Sequence, residues 1–329
     1  MAKKVTQEDI ARETNLSKYA VSRAIAGKSG TSEETRERVL ETCKRLGYVR
    51  TTPKASSQYI LLMIPKSDLG DPAFWMKVVQ GVESGAAKKG YILHIKILRS
   101  SDEALTAQEL ESAAGVIFAG YRSLEFYRDL KLTKPSVLMS YPPVHMFQMD
   151  CLYCADIESS TTLCQKLLDW GHTRFAYCGD GVRPSAAHRM QGVQAQLTGY
   201  GLELAQHLRV SDLENVQALT DRWRAEKEAG MLPTAFLCEN DTMVNFVMRA
   251  TGLLQLRVPE DISIVSFNND PRDVRAISVT GMGLDKIGFG KEAVHMLFDR
   301  IERPNMAFRR IAMLHQFYDN HTAGPYSNL

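Results

Sequence analysis

No run in this 329-residue chain reaches the roughly 18 consecutive apolar residues that a membrane-spanning helix needs. The opening MAKKVTQ has none of the apolar core of a secretory signal, so a cytoplasmic protein with no membrane partner is expected. Cysteine is sparse: Cys43, Cys151, Cys154, Cys164, Cys178 and Cys238 make six. In a reducing compartment these stay thiols. Cys151 and Cys154 form one C-x-x-C, but a zinc site needs a second ligand pair at recognisable spacing, and none follows. No metal is expected, and Cys164 and Cys178 read as core residues. There is no G-x-S-x-G elbow, no Walker loop and no Rossmann glycine fingerprint behind a strand. GMGLDKIGFG, at 281–290, is rich in glycine but has neither required spacing. With no such constellation, neither an enzyme nor a bound cofactor is expected. Internal repeats of solenoid length and low-complexity segments are also missing.

The remaining composition is that of an ordinary globular chain, 44% hydrophobic and 24% charged, long enough for two or three domains with sizeable cores. The net charge of +2 hides an uneven spread. Residues 1–54 carry twelve Lys/Arg against seven Asp/Glu, so +5, which leaves −3 for the rest. A small basic domain on a slightly acidic large one is the layout expected when only one end meets nucleic acid.

That basic end, Val5 to Tyr48, spells out helices back to back. Thr6 can cap the first, with Asp9 in the capping-box position and Val5 and Ile10 at hydrophobic-staple spacing. Ser17 can cap the second, with Leu16 stapled to Val21. Between them Asn15 can take the left-handed conformation that ends a helix. Two helices this close must cross steeply, as in a helix-turn-helix. Val21, Ala24 and Ile25 face inward on the second helix. Lys18, Tyr19, Ser22 and Arg23 lie on the other side, offering the donors and positive charge that an element entering the DNA major groove needs. Ser32 caps a third helix, Glu33 and Glu34 suit its positive end, and Val39, Leu40, Cys43 and Leu46 form its apolar stripe up to Gly47. A three-helix protein-interaction module is the bland alternative; the basic exposed face favours DNA.

The stretches VTQEDIA, LSKYAVSRAIAG and TSEETRERVLETCKRLGY closely resemble the headpiece of the lac repressor (LacI/GalR) family of bacterial regulators. The resemblance implies that Lys18, Tyr19 and Arg23 read a half-site of double-stranded operator DNA while Ser17 and Ser22 contact phosphate. Thr6 is grouped with this DNA-binding face. Family members continue with a P-N-x-x-A-x-x-L-like hinge whose leucine wedges into the minor groove. Here RTTPKASSQ, residues 50–58, is polar, with no matching Pro-Asn start and no large apolar residue. The hinge helix and its wedge are therefore not carried over. Arg50 and Lys54 are expected to contact phosphate instead.

From Tyr59 the pattern becomes strand and helix in alternation. YILLMIP, YILHIKIL, AGVIFAG and SVLMSY read as strands. Helices are expected at Phe74–Lys89, near Asp102–Ser112 and near Leu124–Leu130. A second round begins at Asp156, with helices at Ser159–Gly171, Ala187–Gly199, Leu219–Ala229 and Asp241–Thr251 and strands FAYCG, HLRVS, TAFLCE and ISIVSF. Such alternation specifies doubly wound parallel sheets. The expected fold is thus a small all-α helix-turn-helix headpiece plus an α/β core of two doubly wound parallel-sheet lobes, like a periplasmic binding protein. The domains are the headpiece at 1–50, a linker at 51–58 and the core at 59–329. One lobe takes about 59–157 and 285–308, the other about 158–284 and 309–329. Ligands of such sheets sit outside the carboxyl ends of the strands, in the cleft between lobes.

The resemblance extends more loosely through DPAFWMKVVQGVESGAAKKGY, DWGHTRFAYCGD, RMQGVQAQL, PTAFLCENDTMV, VPEDISIVSFNND and LHQFYDNHTAG. It implies an effector site. Arg189 falls on the arginine that grips effector in many members, where a guanidinium fork suits hydroxyls or a carboxylate; otherwise it is a surface arginine. Asn240 matches an effector-facing residue, or it caps a helix. Asn268 stands where an aspartate is usual, and an amide is the weaker acceptor. Asp156 lies at the lobe crossover, and Asp71 and Phe74 open the first core helix, Phe74 being equally readable as core. The aromatic residue on which sugars often stack is missing near Leu213–Glu214; Trp223 is the nearest. The chain stops without the leucine-repeat tail of tetrameric members, so a homodimer on a pseudo-palindrome is expected. The expected function is a transcriptional regulator, a repressor by preference, with a carbohydrate-related effector. A non-sugar effector or a degenerate pocket is the alternative; an enzyme or a pure ligand-binding protein ranks last.

Overall fold

The computed structural model describes residues 7–17, 20, 21, 23, 24, 32–46, 59–99, 106–129, 134–144, 147–267 and 278–326. The chain divides into two compact units, Met1–Ser56 and Ser57–Leu329. The expected linker at 51–58, the Val5 and Thr6 start signals, Ile25 and the Gly47 stop all lie outside the described residues.

In the small unit, helix α1 (Gln7–Thr14) ends at Asn15, whose φ of 51° is the left-handed conformation its sequence permits. The Ser17 hydroxyl then accepts from the Ala20 amide at 3.1 Å, and Ala20, Val21, Arg23 and Ala24 are helical. Ser32 caps helix α2 (Glu33–Arg45) by accepting from the Thr35 amide at 3.2 Å. Ile10, Val21, Ala24, Val39 and Cys43 form the core, with Leu16 and Leu46 packed against it. Leu40 departs from the expected stripe and is 41% exposed. Val39, Cys43 and Leu46 recur at helical spacing, whereas Leu40 is turned about 100° away from Val39. Arg45 reaches back to Glu13 at 2.7 Å and joins the third helix to the first.

The large unit opens with β1 (Tyr59–Pro65), a 3₁₀ turn (Lys66–Gly70), α3 (Pro72–Lys88), β2 (Ile92–Leu98), α4 (Ala107–Ser112), β3 (Ala113–Ala119), α5 (Leu124–Asp129), β4 (Ser136–Met139) and β5 (Asp150–Cys154). It continues with α6 (Asp156–Asp169), β6 (Phe175–Cys178), α7 (Pro184–Gly199), β7 (Leu204–Leu208), α8 (Val210–Glu214), α9 (Val216–Glu228), β8 (Ala235–Cys238), α10 (Asp241–Leu253), β9 (Ser263–Phe267) and β10 (Gly281–Gly283). Helix α11 (Lys286–Glu302), β11 (Arg310–Met313) and β12 (Gln316–Tyr318) complete it. Two six-stranded sheets result, in the orders β11-β5-β4-β3-β1-β2 and β12-β10-β9-β8-β6-β7. The central strands of each are buried on both faces: in the first lobe Ile60, Leu62 and Ile64 face one apolar cluster while Leu61 and Met63 face another. That is why the strands read as continuous apolar runs. The chain crosses between lobes after β5, after β10 and after β11.

Two expectations need correction. The second lobe was to resume at residue 309, but β11 pairs in parallel with β5 and extends the first-lobe sheet. The cause is Asp150, fully buried, which accepts from Arg300 Nε and Nη2 at 2.9 and 3.0 Å and from the Arg309 amide at 2.7 Å. The second sheet is parallel as expected except at its edge, where β12 runs antiparallel to β10. The strand expected at HLRVS ends at Leu208, and α8 starts at Val210, whose amide donates to Asp180 Oδ1 at 2.9 Å. The glycine-rich 281–290 stretch, to which the sequence assigned no element, contains β10 and the start of α11. Its glycines permit close approach: a Cβ on Gly281 would lie 2.0 Å from the Ser266 carbonyl oxygen, and one on Gly290 2.2 Å from that of Val78.

Candidate functional site

Of the expected DNA-contacting residues, Thr6, Lys18, Tyr19, Ser22, Arg50 and Lys54 lie outside the described residues. Ser17 caps the second helix and so fixes where that helix starts. Arg23 lies on it, half-buried, two residues past Val21, whose side chain is in the core.

In the core, a cavity of about 370 Å³ opens between the lobes. Four of the six expected effector residues line it: Asp71, Phe74, Asp156 and Arg189. Asp71 also caps α3, accepting from the Phe74 amide at 3.1 Å. Phe74 belongs to the cavity wall and to the core at once, packed edge-on against Trp75 with ring centres 5.1 Å apart. Asn240 does not line this cavity. Its Oδ1 accepts from the Thr242 and Met243 amides at 3.0 and 3.2 Å, capping α10. It borders a smaller crevice of about 150 Å³, where Asp71 and Lys286 of the first lobe face it. Asn268 lies outside the described residues.

Arg189 is not a surface residue. It is 4% exposed, donates from Nε to Asp156 Oδ1 at 2.7 Å and from Nη1 to the Glu239 carbonyl at 2.8 Å, and lies over the Phe267 ring. Asp156 is fully buried and also accepts from the Tyr141 hydroxyl at 3.1 Å. Burial raises the Asp156 pKa above the ordinary carboxylate value, and the facing guanidinium works against that rise. Burial works against the Arg189 charge too, but Asp156 prevails and holds the Arg189 pKa up. Tyr141, whose single hydroxyl proton is shared between Asp156 and the Cys154 carbonyl 2.6 Å away, has its pKa raised by burial first and by Asp156 second. The floor of the cleft is thus a fixed Tyr141–Asp156–Arg189 network.

The sequence reading missed most of the remaining wall. Ser67 and Asp68 follow β1, Gly120 and Tyr121 follow β3, Ser140 and Tyr141 follow β4, and Arg183 and Ser185 lie between β6 and the first turn of α7. Positions just past carboxyl ends of strands are the signal that could have found them. Aromatic faces are plentiful here: Trp75, Tyr121, Tyr141, Tyr153 and Phe289 line the cavity with Phe74. Trp223 is not among them; it is fully buried in the second lobe, its indole N–H donating to Gln206 at 3.3 Å. Cys151 and Cys154 lie three apart on β5 and so enter apolar clusters on opposite faces of the sheet, which prevents them from sharing a ligand. Among the described residues no group of three or more His, Cys, Asp or Glu is placed to hold a metal, and no helix is long and apolar enough to cross a membrane.

Residues 6–51 match the family model described as bacterial regulatory proteins, lacI family, and residues 164–317 match that of a periplasmic binding protein-like domain. The HTH-type transcriptional repressor CytR of Escherichia coli (strain K12) is 25% identical over 314 residues, covering 90% of each chain. A solved complex of the transcriptional regulator CelR with cellobiose superposes with a TM-score of 0.66 at 22% identity, covering 97% of this chain and 100% of that one. The lac repressor dimer bound to operator and the anti-inducer ONPF superposes with a TM-score of 0.68 at 20% identity, covering 97% and 99%.

Proposed function

We propose, from the premise that this chain belongs to the lacI family of bacterial regulatory proteins, that it is a cytoplasmic, homodimeric repressor whose operator affinity changes when an uncharged, hydroxyl-bearing small molecule fills the interlobe cleft. One observation carries the effector class: each of the two arginines lining the cavity already faces a carboxylate of this chain, Arg189 with Asp156 at 2.7 Å and Arg183 with Asp68 at 3.2 Å. A phosphate or carboxylate entering there would have to displace one of them, beside a further carboxylate, Asp71. Uncharged hydroxyls avoid that cost, and the six aromatic rings offer faces for a sugar-like or other flat ligand. The cellobiose bound by CelR supports a carbohydrate-related effector. The wall of Phe74, Trp75 and four other rings replaces the single stacking residue missing near Leu213.

Each headpiece places the helix capped by Ser17 in a major groove, with Lys18, Tyr19 and Arg23 toward bases and Ser17 and Ser22 toward phosphate. Thr6, Arg50 and Lys54 add contacts to the backbone. A single headpiece buries little DNA surface, so two act on a pseudo-palindrome. The edge strand β2 leaves Ile92, Ile95 and Ile97 between 47% and 51% exposed, an apolar edge of the kind that proteins cover. That exposed apolar edge fits coverage by a second copy, and the lac repressor is named as a dimer on its operator. The relatives are named as regulators, and no catalysis, cofactor or metal is assigned to this chain.

Genomic footprinting with the purified protein, repeated with sugars and nucleosides and with their phosphorylated forms, tests the proposal. Protection of discrete pseudo-palindromes that an uncharged compound alters is the expected result. Uniform, sequence-independent protection would refute the regulator. A response to phosphorylated compounds alone would refute the effector class.

A further inference from the structure

Of the two ion pairs in the cleft, one lies within the second lobe and the other joins the lobes. Asp156 and Arg189 both belong to the second lobe, on α6 and α7. Arg183, the residue before α7, instead reaches into the first lobe. Its Nη1 lies 3.2 Å from Asp68 Oδ1, and its Nη2 donates to the Ser67 carbonyl at 3.2 Å.

Both ends of this contact are built. Asp68 is 7% exposed, and its carboxylate occupies space that Gly120 leaves open: with φ at +73°, that glycine would place a Cβ only 1.9 Å from Asp68 Oδ2. Burial raises the Asp68 pKa, and Arg183 and then Arg122 oppose the rise. On the other side, the 179–183 loop is held to its own lobe at two points. The Gly181 amide donates to Glu239 Oε2 at 3.0 Å, and Asp180 Oδ1 accepts from the Val210 amide at 2.9 Å. A Cβ at Gly179, with φ at +151°, would lie 2.3 Å from that same Glu239 carboxylate. The loop conformation therefore depends on glycine and points Arg183 across the cleft.

The Tyr141–Asp156 hydrogen bond also joins the lobes, but Asp156 opens the helix that leaves the first crossover, where hinge rotation displaces atoms least. Asp68 and Arg183 lie on loops remote in sequence from all three crossovers, so opening the cleft has to separate them.

We propose that Asp68, Arg183 and the Ser67 carbonyl form an interlobe latch that holds the cleft closed by itself and sets how often it opens. Arg183 is here a positioning residue: it acts on lobe closure before any effector is present. Effector exchange then requires the latch to part, and its strength tunes the effector response. That last consequence rests on the cleft being the effector site; the latch itself does not.

Pulsed electron–electron distance measurement on the ligand-free full chain tests it. Spin labels at Lys88→Cys on the first lobe and Glu203→Cys on the second are suitable, because both sites are exposed and all six native cysteines are buried. Dilution with unlabelled chain removes distances between subunits. Arg183→Gln, at a side chain that is 54% exposed, leaves the fold intact. It should raise the open-to-closed ratio roughly fivefold, as expected for one partly exposed ion pair. Asp68→Asn should do the same, and the double variant should open no further than either single one, because all three remove one contact. Arg183→Lys, which keeps the charge but loses the fork to Ser67, should fall between. An Arg183→Gln distance distribution superimposable on wild type overturns the latch. So do additive effects of the two substitutions. Neither result uses effector or DNA, so the latch can fail while the effector site stands, and the reverse.

Discussion

Replacing Arg189 by methionine removes a guanidinium from a site that is 4% exposed and strands a carboxylate that is fully buried. The 2.7 Å bond from Arg189 Nε and the 2.8 Å bond to the Glu239 carbonyl are lost; Asp156 keeps its 3.1 Å bond from Tyr141. Breaking a buried pair by removing one partner costs about 3–5 kcal/mol, because the other charge stays behind. Asp156→Asn together with Arg189→Met removes both charges, and such replacements are often close to neutral. The two substitutions should therefore couple by about 2–3 kcal/mol. Urea unfolding of wild type, both single variants and the double variant at pH 7.5, followed by fluorescence of buried Trp75 and Trp223, measures the coupling. A pH signature accompanies it. Without Arg189, burial raises the folded-state pKa of Asp156 unopposed by the guanidinium. A group with a raised folded pKa contributes least above that value, so the deficit of Arg189→Met should grow as pH rises above the ordinary carboxylate range. Coupling below about 0.5 kcal/mol, the scatter expected of independent sites, would show that the two side chains are not one network.

Arg23→Ala should cost roughly 1–3 kcal/mol at one base position and relax specificity there; an unchanged base preference across variant half-sites contradicts the docking. His172 is 1% exposed between Thr234 and Ser263, at 3.0 Å each, and burial lowers its pKa to about 4. Its unfolded value is about 6.5, so as pH falls the unfolded chain takes up the proton first. Stability present above pH 6.5 is then lost toward pH 4, at up to about 1.4 kcal/mol per pH unit. Between pH 7.5 and 5, His172→Gln should lose roughly 2 kcal/mol less than wild type; parallel losses refute this. The polar run from Thr51 to Ser57 offers no apolar wedge, so operator binding should proceed with little central kinking and fall steeply with salt. A bend of several tens of degrees between half-sites in a circular-permutation assay would sink that prediction.

Features set by near neighbours were legible in the sequence. Asn15, Ser17 and Ser32 announce helix ends through bonds spanning three or four residues, and each takes the role its chemistry suggests. The apolar strand runs announce burial on two faces because every other residue belongs to each face. Features set by distant partners were not legible. Nothing local to Arg310–Met313 says that it pairs with β5; the buried carboxylate of Asp150, about half the chain away, decides it. In the cleft, the resemblance located Arg189 and Asp156 individually, but not that they neutralise each other. Arg183 and Asp68 carry no helical or strand periodicity that would mark them. They meet only because two sheets present their carboxyl ends to one cavity.

Reciprocal titration decides whether the cleft and the operator-binding helix are coupled. Operator affinity is measured by fluorescence anisotropy at fixed ionic strength, with and without a saturating uncharged effector from the footprinting screen. Effector affinity is measured by calorimetry, with and without saturating operator. The two factors must be equal if cleft and headpiece are thermodynamically linked, and typical couplings are about 5- to 150-fold. Equal factors in this range, abolished together by Arg189→Met, are predicted. An effector that binds while leaving operator affinity unchanged would contradict the account.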